Sequence, residues 1–143
     1  RSATEGPGGP GTVRKTVMNI MSFQEVADLS HKVGSMSQEE MRASDERLKD
    51  IYTASEMIDY GNKVRTDIVA FLNSGDNDAY DREVPAHYGG EVTVLELLNI
   101  ILSHSTHHMK QLYHYMQTDL GITPVEPASE ADFEGIQTPE ALF

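Results

Sequence analysis

Three times in this chain a Ser or Thr stands three residues before a Glu, at the head of a segment with helical spacing: Ser37–Glu40, Thr53–Glu56 and Thr93–Glu96. In such a box each side chain satisfies a backbone N–H that the first helical turn leaves unbonded, so the pattern marks helix starts. After Thr53, the residues Met57, Gly61, Val64, Ile68 and Phe71 fall at i, i+4, i+7, i+11 and i+14, which is one helical face ending near Ser74–Gly75. After Thr93 the helical pattern runs to about Leu120, where Gly121 supplies a C-terminal glycine and Pro124 blocks continuation. At 1.5 Å per residue that segment is roughly 39 Å long. An earlier segment, about Val17 to Val33, has a broader apolar face, and residues 38–50 form a short charged helix. Residues 74–92 and 121–143 look irregular, with one short extended piece near Val84. The expected fold is all-α: a bundle of three substantial helices and one short one, with a C-terminal tail wrapped outside.

Composition bounds what such a bundle can do. Residues 1–13 read as a flexible leader rich in Gly and Pro, leaving 14–143 as one helical domain. There is no cysteine, so disulfides, thiolate metal sites and Cys nucleophiles are excluded. The formal charge of −12 argues against nucleic acid and anionic membranes as partners. No apolar run approaches the roughly 18 residues of a membrane span, and RSATEGPGGPG has no apolar signal core. A cytoplasmic protein is expected.

Chemistry concentrates in SHSTHHMKQLYHYM, which holds His104, His107, His108 and His114. At about 100° per residue, His104 and His108 share the stripe of Leu97, Ile101, Leu112 and Tyr115. His107 and His114 fall on the flank, as surface histidines. Two imidazoles at i and i+4 project together and can bind one metal ion. Two core histidines bonded to backbone or water are the bland alternative. Ser105 stands where a metallopeptidase HExxH would have its glutamate, which argues against a peptidase. Gln111, at the edge of the stripe, is placed either to hydrogen-bond a ligand histidine or simply to be solvated. His87 reads as a loop residue, and Tyr88 either as a phenol donor approaching the site or as a turn tyrosine packed on a bundle end.

These residues carry a resemblance. VPAHYGGEVTVLELLNIILSHSTHHMKQLYHYMQTDLGITP is similar to the last long helix of the DinB-like family. That family shows a YG pair, a helix start, H-x-x-x-H, R/K-Q-L and a G-I-x-P exit. Here these are Tyr88-Gly89, Thr93, His104 with His108, Lys110-Gln111-Leu112, and Gly121-Ile122-Thr123-Pro124. ADFEGIQTPEALF resembles the family's tail, and TASEMIDYGNKVRTDIVAFL its preceding helix. The resemblance covers about residues 14–143 and is closest over 84–143.

It implies a four-helix bundle in which a third histidine, from an earlier helix, joins the HxxxH pair to hold zinc, nickel or a similar divalent ion. That histidine follows a motif like R-S-V-R-N-L-x-x-H. The matching run here, Lys15 to Phe23, puts Phe23 at the ligand position. His31 lies eight residues later, about 12 Å along a helix, and completes the triad only if the helix is shifted by two turns. The family's first helix would precede residue 14, where only the leader stands, so that helix is expected to be lost, removed or supplied by a partner chain, and a homodimer through residues 17–33 to cover the open face. Characterised relatives are bacterial thiol-dependent transferases and isomerases. The resemblance therefore implies a metal-dependent transferase, isomerase or hydrolase acting on a small molecule. The alternative is a non-catalytic bundle that lost its metal triad and serves binding or assembly.

Overall fold

The computed structural model describes residues 12–142. Four α-helices dominate: α1 (Val13–Val33), α2 (Gln38–Leu48), α3 (Ala54–Leu72) and α4 (Val94–Thr118). Between α3 and α4 lie a 3₁₀ turn (Asn77–Asp81) and two short strands, β1 (Glu83–Pro85) and β2 (Glu91–Thr93); a second 3₁₀ turn (Glu130–Phe133) follows α4. The class is mostly helical, as expected, and a DinB-like helical fold fits it. Of the expected leader, residues 1–11 lie outside the described residues, and Val13 already belongs to α1.

All three capping boxes form. Ser37 with Glu40 and Thr53 with Glu56 exchange reciprocal bonds. Thr93 N donates to Glu96 Oε2 at 2.8 Å while Glu96 N donates to Thr93 Oγ1 at 3.1 Å. A further reciprocal box, Ser129 with Asp132, starts the last 3₁₀ turn.

The described chain divides into two compact units. Met21–Ile101 is one, and residues 12–20 with 102–142 the other. In the first, Val26, Ala27, Met36, Met41, Phe71, Val84, Val94, Leu97 and Ile101 form one buried apolar cluster. The face foreseen on α3 is correct in Val64 and Phe71, and it also takes in buried Tyr60. Gly61 lets α3 approach Met21: a Cβ there would stand 2.7 Å from Met21 Sδ.

The stretch 74–92 is more ordered than its turn residues suggested. β1 and β2 pair antiparallel with Val84 opposite Val92, and Gly89 and Gly90 turn the chain with φ of 98° and 76°. Strand β2 runs directly into α4, so its three residues were hidden in the sequence behind the helix-start signal. The hairpin also accepts a bond from the α1–α2 connection, Met36 N to Pro85 O at 2.8 Å.

In the second unit, the tail runs back along the C-terminal half of α4. Gly121 (φ 61°) ends the helix as expected, with Ile122 N bonding back to Met116 O at 2.8 Å. Tyr113 Oη accepts from Ala128 N at 3.3 Å. Lys110 Nζ lies 4.9 Å from the centre of the buried Phe133 ring, and Ser103 Oγ donates to Gln137 O.

Among residues 17–33 only Lys32 and Val33 are exposed, and Ser22, Glu25, Asp28 and Ser30 are buried there along with Val26 and Ala27. Exposed large apolar residues stand instead on α3 (Ile58, Val69, Leu72) and α4 (Leu95, Ile100, Leu102).

Candidate functional site

His104 and His108 lie one turn apart on α4, half-buried. Their rings meet edge-on, with centroids 4.5 Å apart and planes at 86°. Helical spacing accounts for this directly, because side chains at i and i+4 stack over one another along the axis.

Gln111 is buried, at 7% exposure, and organises the cluster. Its Oε1 lies 2.8 Å from His108 Nδ1. Its Nε2 lies 3.2 Å from His107 Nε2 and donates to the backbone oxygen of Leu142 at 2.6 Å. The Gln111 amide thus contacts both imidazoles and the tail backbone.

His107, expected at the surface, is half-buried and joined to the cluster through Gln111. Its ring centre is 6.1 Å from that of His108. Burial, then the neighbouring His108 and Lys110, lower its pKa below the ordinary histidine value, so the ring is neutral near pH 7. The signal was in the sequence, since His107 and Gln111 are themselves an i, i+4 pair. His114 is exposed, as read.

The other candidates belong to the Met21–Ile101 unit. His31 stacks flat on Phe71, with centroids 3.8 Å apart and planes 10° from parallel. Its Nε2 is buried without a hydrogen-bond partner, and its backbone oxygen accepts from Arg82 Nη1 at 2.8 Å. Burial lowers its pKa, against the opposing pull of Asp28. Phe23 packs edge-on to His87, and His87 edge-on to Tyr88, each pair 5.2 Å apart. His87 thus anchors the loop by ring contact and is half-buried, while Tyr88 is 55% exposed.

Among the described residues, no group of three or more His, Asp or Glu side chains gathers in metal-binding geometry. The donor set in hand is a pair of imidazoles. Two histidines at i and i+4 of a helix project to the same side, the spacing at which such a pair can share an ion. A buried partner on one ring's second nitrogen is also what metal-binding histidines usually have.

The model of the DinB superfamily matches residues 8–112. That span includes α1, α2 and α3, and α4 through His104, His108 and Gln111; it ends before the Gly-Ile-Thr-Pro exit and the tail. No curated protein and no solved structure matches the chain. Since the match covers most of the sequence, this chain belongs to the DinB superfamily.

Proposed function

We propose that this protein is a metal-dependent enzyme of the superfamily, with a divalent ion, zinc or nickel, held by His104 and His108. The observation that carries the reading is the edge-on imidazole pair with His108 Nδ1 anchored to the buried Gln111 amide. With two protein ligands the affinity would be lower than that of a three-histidine site. Such an ion would supply Lewis-acid chemistry, polarising a carbonyl or activating a thiol or water. The reaction class proposed with it is thiol-dependent transfer or isomerisation, or hydrolysis, on a small molecule in the cytoplasm. No helix among the described residues is long and apolar enough to cross a membrane.

Titration calorimetry with zinc and nickel tests the reading. His104→Ala and His108→Ala should each abolish binding, because one imidazole does not hold the ion against water. His114→Ala should leave it unchanged, and so should His31→Ala, whose ring is engaged with Phe71. Undiminished affinity in His104→Ala would show that the pair is not the site.

A non-catalytic binding module is the second reading. Phe23, standing where the family pattern has a histidine, favours it. Absence of zinc and nickel binding by the intact protein would select it. Self-association belongs to either reading, through the exposed face of Ile58, Val69 and Leu72 on α3. Light scattering at micromolar concentration should then give twice the 15.9 kDa chain mass; a stable monomer removes the dimer from the proposal.

A further inference from the structure

The Gln111 amide touches three groups, and only one of them has a fixed role. The backbone oxygen of Leu142 has no proton and can only accept. The Gln111 atom 2.6 Å from it must therefore be the NH₂ nitrogen, since an oxygen there would set two acceptors against each other. That choice fixes the rest. Oε1 then faces His108 Nδ1 at 2.8 Å, so this nitrogen carries the proton. The second proton of the NH₂ points to His107 Nε2 at 3.2 Å, so that nitrogen carries a lone pair. Turned over, the amide would satisfy both imidazoles equally well with both tautomers reversed. The histidines cannot choose between the two arrangements, and the tail carbonyl can.

We propose that the C-terminal tail, through the Leu142 carbonyl and the Gln111 amide, sets the tautomer of His108 and holds its Nε2 lone pair ready for a divalent cation. The inference rests on the reading of His104 and His108 as a metal pair only for its consequence. The tautomer assignment concerns the metal-free protein. In the reversed arrangement the one lone pair of His108 would be spent on Gln111 and Nε2 would bear a proton. Gln111 is thus a positioning residue, and the tail is part of the site although it lies beyond the matched span of α4.

Long-range proton–nitrogen NMR of the metal-free protein at about pH 8, where histidines are ordinarily neutral, reads the tautomers. His108 should be a single Nδ1–H species and His107 likewise. Truncation after Gln137 retains the Ser103–Gln137 contact and removes Leu142; there, His108 should become a mixture of both tautomers. Gln111→Glu keeps an acceptor for His108 and removes the donor to His107. His108 should stay Nδ1–H in it while His107 changes. Zinc affinity should fall about tenfold or more on truncation, the range seen when a ligand histidine loses its outer partner. An Nε2–H form of His108 in the full chain overturns the proposal, and so does an unchanged His108 tautomer in the truncated chain. If the truncated chain does not fold, the full chain and Gln111→Glu decide by the same criteria. Failure of the full chain to bind zinc while its tautomers are as stated would overturn the metal reading and leave the assignment standing.

Discussion

Glu25 is the most consequential charged residue away from the histidines. Its side chain is 7% exposed and faces Arg47, with Lys63 Nζ at 3.8 Å. Burial, and then the Glu25 charge, raises the pKa of Tyr60, which keeps the phenol protonated. The network is asymmetric, because Arg47 and Lys63 are half-exposed or more while Glu25 is not. Removing Glu25 leaves two cations that water can solvate. Removing Arg47 leaves a buried carboxylate with the neutral Tyr60 phenol and Lys63 at 3.8 Å, the costlier outcome. Arg47→Met should therefore destabilise by about 3 kcal/mol, more than Glu25→Gln does. Urea unfolding of the two variants measures this, and the reverse order would refute the argument. None of the pairing was legible in the sequence, where Glu25 and Arg47 lie on separate helical segments.

At the scale of elements, the helix ends were the most readable feature, because a cap is a local interaction between residues three apart. The C-terminus of α1 is different. Gly34 takes φ 79° and its N–H bonds to Ser30 O at 2.8 Å, a left-handed glycine closing the helix. A Cβ at Gly34 would stand 2.9 Å from Arg82 Nη2, and the same guanidinium donates to the His31 carbonyl. Gly34→Ala should thus combine the left-handed penalty of about 1 kcal/mol with displacement of the Arg82 cap. Thermal melting should show a loss of roughly 1–2 kcal/mol. Gly75→Ala, also at positive φ but with open space around it, should lose only the backbone share. Equal losses in the two would show that Arg82 contributes nothing. The strands, by contrast, were only half legible. Val84 read as extended, but β2 consists of residues that also look like a helix start, and only pairing across Gly89–Gly90 makes them a strand.

For the molecule as a whole, the histidines set the pH response. Burial lowers the pKa of His31 and of His87. The folded state therefore binds fewer protons there than the unfolded chain, and unfolding takes protons up. Stability is full above the ordinary value of 6.5, falls as pH drops through it, and levels off below the folded pKa. Asp28 works in the opposite sense: burial raises its pKa above 3.8, so the folded state gains a proton first and recovers some stability at lower pH. The melting temperature should accordingly decline from about pH 7.5 to about pH 5.5, and His31→Gln should flatten that decline. A temperature that stays level or rises over this interval would refute it. What the sequence by itself determined is what depends on near neighbours along the chain: the helical class, the caps, the glycine stop at Gly121, and the His104–His108 pair with Gln111 one turn on. Each follows from spacings of three or four residues, which helix geometry turns into contact without help from the rest of the molecule. Only the tertiary structure decided the stacking of His31 on Phe71, the enclosure of α1 and the return of Leu142 to Gln111. Those contacts join residues far apart in the chain, and no local periodicity encodes which distant partner will arrive.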